Sequence, residues 1–355
     1  MNVIDYISYY GKHTFEEKAF NEVDNVIFSM LSYVDYNGIV PNNKNEITIE
    51  EANMLFKQKD FDDKNIMLSI KQAIKVLESA SGSNRFKNIT MSNYMYIGNE
   101  ESQFSAVTFK ITKDLYYISF EGTDALLSGW KEDCKMAYKF PVAAHVLAKN
   151  YLNKVFTLRR GKVIVGGHSK GGNLALVASM YCNRFVRKKI INVYSNDGQG
   201  LRETQLNSKQ YSLIKDRYIH IIPNYSIVGL LLRHDDNYIV VKSDRKGFYA
   251  HDAFSWQVSY DHLEKELLSR FSKVFDDGFS KWLDNYDDEQ RRKFVNEVFK
   301  LFYENGFETV TEVRSKLKNI TTVVKSSKTM DPVVKEMFKE LIKIVGKTNL
   351  EYPWF

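Results

Sequence analysis

Apolar residues recur at helical spacing near the amino end of the chain: Phe20, Val23, Ile27, Met30 and Leu31 form one set, and Ile66, Ile70, Ala73, Ile74 and Leu77 another. Steps of three and four put each set on one helix face, so the chain is predicted helical to about Ser81. The period then changes. Asn88–Ile97, Phe104–Ile111 and Tyr116–Phe120 read as strands, and their short connections predict antiparallel neighbours. From Pro141 to Trp256 helix and strand patterns alternate, the sign of a parallel sheet with crossover helices. From Tyr260 the pattern is helical and strongly charged, and in Val333–Ile342 the apolar residues share one face while Lys and Glu hold the other. The predicted fold class is α/β, with a mostly parallel central sheet flanked by helices. Residues 1–260 form the main domain, with its amino-terminal helices, and residues 261–355 a helical extension.

Within the alternating part, Lys162–Tyr181 reads as strand, glycine-rich turn and helix, with one serine at the apex. Val163-Ile164-Val165 is short, β-branched and unbroken, as a strand buried on both faces should be. In Gly167-His168-Ser169-Lys170-Gly171 the outer glycines stand where a side chain would meet the neighbouring strand or helix, which lets Ser169 take the strained backbone that exposes its hydroxyl. The amino end of the following helix aims its dipole and free N–H groups at that serine. A plain βα turn and a phosphate cradle are the rival readings, but the spacing of a nucleotide-binding loop is absent.

A serine nucleophile needs somewhere for its proton to go. The strand Ile190–Ser195 ends in Asn196-Asp197-Gly198, so Asp197 falls at the same carboxyl edge of a parallel sheet as Ser169. An Asp-Gly turn is the bland alternative. Of the seven histidines, His251 lies in a loop between strand and helix rich in aromatics and follows Asp197 in chain order, so it is the favoured base. His234 and His220 are the reserve candidates, and His262 opens a charged helix. His168, beside the nucleophile, is expected to fill the flank of the turn. For the oxyanion, one N–H donor belongs to Lys170, the residue after the nucleophile, and the second is assigned to Thr123, in the loop after Tyr116–Phe120. A helix-capping turn would account for Thr123 equally simply.

The segments FEGTD, GWKED, GHSKGGNLA, SNDGQG, IIPNYSIVGLLL and AHDAFSW resemble the bacterial Mbeg-like domain, a branch of the α/β-hydrolases similar to the class 3 lipases. The resemblance runs from about Met1 to Trp256. It implies an α/β-hydrolase fold, Ser169 as nucleophile, Thr123 at the oxyanion position and His251 as the late histidine. Two positions depart from the class 3 pattern: Glu121 stands where arginine is usual, and Ser226 stands where that class takes its acid. Asp197 supplies the acid if it has moved one strand earlier, as in the pancreatic-type lipases.

Composition narrows the rest. At 355 residues, 44% hydrophobic and 26% charged, the chain can bury a large core. Two cysteines do not make a disulfide framework. A net charge of +6 spread among many acidic residues gives little support for nucleic-acid binding. The first residues lack a basic start and a long apolar core, so no leader is expected and the protein is read as cytoplasmic. The helix at 333–342 reads as a docked helix in preference to a lid or a membrane-surface helix, because its polar face mixes both charge signs. The ending Tyr352-Pro353-Trp354-Phe355 is apolar enough to tuck into a groove or meet a partner chain.

The sequence thus points to a serine esterase of lipase type. Ser169, His251 and Asp197 form its triad, Thr123 and Lys170 its oxyanion hole, its substrate is a small-molecule or lipid ester, and no cofactor or metal is needed. The contrasting expectation is a non-catalytic hydrolase scaffold that binds a ligand or protein. Thioesters and activated amides suit the same apparatus, and the sequence is silent on oligomeric state.

Overall fold

A computed structural model describes residues 1–59, 67–99, 102–124, 126–309, 312 and 330–351; Ile66 and Tyr352-Pro353-Trp354-Phe355 lie outside these. The amino-terminal helices are α1 (Val3–Tyr10), α2 (Glu22–Leu31), α3 (Ile49–Lys57) and α4 (Leu68–Ser81). Helix α2 starts where it does because Asn21 caps it. The Asn21 side chain accepts from the backbone of Val23 and Asp24, and Asp24 reaches back to the Asn21 N–H.

Eight strands form one sheet whose spatial order is their chain order: β1 (Ile47–Thr48), β2 (Thr90–Gly98), β3 (Gln103–Lys110), β4 (Leu115–Phe120), β5 (Lys162–His168), β6 (Ile190–Asn196), β7 (Tyr218–Pro223) and β8 (Tyr238–Val241). Strands β1 to β4 pair antiparallel, and β4 to β8 pair parallel. The change follows from connection length: β2 to β4 are joined by short turns, while each parallel pair needs a crossover. Between β4 and β5 the crossover holds α5 (Leu127–Lys135) and α6 (Ala143–Phe156), and α7 (Lys170–Tyr181) and α8 (Arg184–Arg187) follow β5. Two short helices, α9 (Glu203–Leu206) and α10 (Lys209–Ser212), join β6 to β7.

Side-chain alternation splits the core into two layers. Val107, Phe109, Tyr117 and Ile164 face α1, α2 and α4. Ala106, Ile118, Phe120, Val163 and Val165 face α6 and α7. Beyond the small hairpin β9 (Val258–Ser259) and β10 (His262–Leu263) come α11 (Arg270–Asn285), α12 (Asp288–Glu304) and α13 (Pro332–Glu351). Trp282, Leu283 and Met337 from these helices belong to the same apolar core as α6 and α7, and Trp282 Nε1 donates to the Met337 carbonyl at 3.1 Å.

Helix α5 was not visible in the pattern of apolar positions. Its buried residues are Leu127, Gly129 and Glu132, so its inward face carries no hydrophobic repeat. Glu132 is buried because Lys170 meets it there, a pairing between segments far apart in the chain.

Candidate active site

Strand β5 ends at His168 and α7 begins at Lys170, leaving Ser169 at the apex with φ 59° and ψ −133°. A left-handed backbone at a non-glycine residue costs on the order of 1–3 kcal/mol and persists only where its surroundings impose it. Here the Ser169 N–H donates to the Asn196 carbonyl at 2.9 Å, and the Gly172 N–H donates to the Ser169 carbonyl at 2.9 Å. Glycine is required on both sides. A Cβ on Gly167 would lie 2.4 Å from the Gly171 carbonyl carbon, and one on Gly171 would lie 2.0 Å from the Phe120 carbonyl oxygen.

Asp197 follows β6 directly and is fully buried. Its Oδ2 lies 2.7 Å from His251 Nδ1, and its Oδ1 accepts from the Ser226 hydroxyl at 2.6 Å and from the Gly229 N–H at 3.0 Å. Burial alone would raise its pKa, but the hydrogen bond and charge of His251 and the Ser226 hydroxyl hold it below the ordinary aspartate value. Asp197 stays ionised and accepts only, so the proton of that contact sits on Nδ1, and in the neutral imidazole Nε2 is then the acceptor. Ser226, the position that departs from the class 3 pattern, thus lies against the carboxylate one strand away.

His168 fills the flank of the turn, as the sequence suggested, and does more. Its Nε2 lies 2.7 Å from the His251 carbonyl, and its ring centroid is 4.5 Å from that of His251. A carbonyl only accepts, so Nε2 carries the proton and Nδ1 accepts from the Tyr33 hydroxyl at 2.9 Å. Burial, aided by the neighbouring His251, pushes the His168 pKa down to about 3. The backbone of His251 is braced again by Trp256, whose Nε1 donates to the Ala250 carbonyl at 2.9 Å. The other candidates stand apart: His234 faces Asp276 at 3.4 Å, His262 faces Asp261, and His220 is buried within β7.

On the opposite flank, the backbone N–H groups of Thr123 and Lys170 have no intramolecular partner among the described residues. The Thr123 hydroxyl donates to Asp133 Oδ2 at 2.5 Å, so the contribution of Thr123 to an oxyanion hole is its N–H alone. The Lys170 side chain turns inward. Its Nζ is buried and donates to Glu132 Oε2 at 2.6 Å and to the Gln103 carbonyl at 2.9 Å. Burial pushes the Asp133 carboxyl up to about 6 and that of Glu121 up to about 8. Sequence reasoning did not assign roles to Glu132, Asp133, Ser226 or Tyr33. The GWKED segment was the available signal for the first two, but a long-range partner cannot be read from a motif.

Ser169 opens onto a cavity of about 220 Å³ whose other walls include Trp130, Val228, Leu231, Phe279, Trp282 and Leu341. A wider groove of about 550 Å³ adjoins it at Ala137, Leu232 and Arg291 but contains none of the five candidate residues. Among the described residues no cluster of three His, Cys, Asp or Glu is arranged to hold a metal, no helix is long and apolar enough to cross a membrane, and both cysteines are free thiols.

A mostly parallel sheet flanked by helices, with a serine elbow at the carboxyl end of β5, defines an α/β-hydrolase fold. The chain belongs to the Mbeg1-like family, whose model matches residues 80–300. Among solved structures, the crystal structure of M37 lipase is similar at 15% identity, with a TM-score of 0.36 and coverage of 58% of this chain and 68% of that one. No protein with a curated description matches the chain.

Proposed function

We propose that this protein is a serine hydrolase that cleaves carboxylic esters, lipid esters included, through an acyl-enzyme. Ser169 Oγ attacks the ester carbonyl while His251 Nε2 takes its proton. Asp197 holds the imidazole in the tautomer that leaves Nε2 free and balances the imidazolium that forms. The N–H groups of Thr123 and Lys170 stabilise the carbonyl oxygen as it gains charge. The tetrahedral intermediate collapses as His251 hands its proton to the departing alcohol. Water then attacks the acyl-enzyme with His251 again as base, which releases the acid and restores Ser169. Neither half-reaction calls for a metal or cofactor.

The observation that carries this reading is the 2.7 Å contact between His251 Nδ1 and the buried Asp197 carboxylate, beside a serine in a left-handed backbone. Ser226 supports it: a hydroxyl that donates to Asp197 removes the need for a second carboxylate on the next strand. The test is labelling by a fluorophosphonate, read by intact mass. Wild-type protein is expected to gain one adduct, and Ser169→Ala and His251→Ala to gain none at the same exposure. Folded wild-type protein that stays unlabelled would favour the non-catalytic scaffold instead.

A further inference from the structure

In α11 the apolar residues Phe271, Phe275, Phe279, Trp282 and Leu283 recur at steps of three and four, which makes one continuous stripe. Its middle is an aromatic wall. Phe279 stacks on Trp282 with ring centroids 5.8 Å apart, and Phe294 of α12 meets the Trp282 ring edge-on at 5.5 Å. The Trp282 indole is pinned to α13 through the Met337 carbonyl, so the wall is held from behind. The carboxyl end of α12 is tied to the loop that carries Thr123, because the Leu127 N–H donates to the Glu308 carbonyl at 2.9 Å and Leu126 pairs with Thr309.

This wall packs into the core it shares with α6 and α7 through Trp282 and Leu283, yet between it and the elbow a cavity remains at Ser169. The opposite side is Trp130 and Ala137 from α5 and its end, with Val228 and Leu231 from the segment after β7. An unfilled apolar space costs stability in proportion to its volume, so a void retained beside a nucleophile calls for an occupant. The chemistry of the lining says what kind. Arg291, the cation on its edge, is engaged with Asp288 and with the carbonyls of Ala137 and Leu283, and Asp133 accepts from Thr123. Asp133 Oδ1, Gln199 Oε1 and Arg291 Nε have no hydrogen-bond partner among the described residues, but the greater part of the lining is hydrocarbon and aromatic surface, which favours an uncharged chain.

We propose that this cavity is the acyl-chain subsite of Ser169, with the helices after Ser269 as its outer wall, and that the substrate is an ester of an uncharged hydrocarbon acid. The proposal rests on the hydrolase reading and deepens it. The acyl carbonyl sits at Ser169 Oγ between the two N–H donors, the hydrocarbon tail runs under Phe279 and Trp282, and the alcohol leaves on the His251 side.

The test compares the rates at which ethyl and octyl phosphonofluoridates label the full-length protein, in wild type and in two cavity-filling variants, Val295→Phe and Leu341→Trp. Wild type is expected to take the octyl probe about tenfold or more faster than the ethyl probe, since each added methylene gains burial. In each variant that keeps the native circular dichroism, that ratio falls by about tenfold. Tryptophan emission gives a reading that needs no variant: Trp130 and Trp282 line the cavity, so the octyl adduct shifts the emission and the ethyl adduct does not. Equal labelling by both probes, an unchanged ratio in a folded variant, or emission blind to the octyl chain would overturn the subsite while leaving the hydrolase intact. Failure of both probes to label Ser169 defeats the hydrolase reading itself, and this proposal with it.

Discussion

The two flanks of Ser169 are built on opposite principles. On the side of His251, the proposed base, Tyr33, His168, His251, Asp197 and Ser226 form an unbroken run of hydrogen bonds. On the oxyanion side Lys170 is buried against Glu132 and Asp133, with Glu121 and Asp124 close by. The first arrangement places one imidazole. The second places backbone, because the Lys170 ammonium anchors the start of α7 and the Asp133 carboxylate anchors the Thr123 side chain. One flank is expected to fail in rate, the other in stability.

The largest effects should come from the groups proposed to carry the reaction. Ser169→Ala or His251→Ala should each lower ester turnover on the order of 10⁶-fold with native folding, as in enzymes whose serine and histidine act as a unit. Asp197→Asn should cost on the order of 10⁴-fold in kcat, because an amide there favours the wrong imidazole tautomer. Urea melts should find that variant folded; a molecule that unfolds instead would break the contrast between the flanks.

On the other flank, Glu132→Ala removes the nearer carboxylate of the buried Lys170 ammonium, at 2.6 Å, and leaves it Asp133 Oδ1 at 3.8 Å. It should lower the unfolding free energy by about 3–5 kcal/mol, measured by denaturant midpoint. A loss under about 1 kcal/mol would mean that this pair does not hold the elbow. Ser226→Ala removes a hydrogen bond to the Asp197 carboxylate worth about 1.5–3 kcal/mol, so the unfolding free energy should fall by about that amount and kcat/KM roughly tenfold or more.

The last and most diagnostic effect is in the pH dependence of stability. Burial lowers His168 to about 3, so between that value and the ordinary histidine range the unfolded chain binds a proton that the folded one refuses. Stability from this group is therefore lost as pH falls through that window, by at most about 1.4 kcal/mol per pH unit. Glu121, raised to about 8, does the reverse: the folded state holds its proton after the unfolded chain has lost it, so stability is lost as pH rises from the ordinary glutamate range towards 8. His168→Gln should flatten the acid limb of a stability profile, and Glu121→Gln the alkaline limb. Identical slopes in the variants and the wild type would show that the two flanks do not titrate in opposite directions.

Much of this arrangement was legible in one dimension because its signals are local. The strands β2, β3, β4 and β6 fall within a residue or two of the runs that predict them, and Ser169 announces itself through glycines that only a tight elbow requires. Asp197 and His251 followed from chain order and from the rule that parallel strands end on one edge. Helix α5 escaped because its buried face is polar. Ser226 was read as a departure, since nothing in a sequence tells whether a hydroxyl lost from one role has been taken up in another.

The sequence by itself determined the backbone periods, the elbow and the chain order of Ser169, Asp197 and His251, all set by steric preference and by burial over a few residues. Only the tertiary structure decided which polar groups meet. Tyr33 reaches His168 across 135 residues and Ser226 reaches Asp197 across 29. The cavity, too, forms only where α11, α12 and α13 meet Ser169, α5 and the segment after β7. Such contacts depend on how layers stack in space, and loop closure brings together residues whose spacing along the chain carries no trace of the meeting.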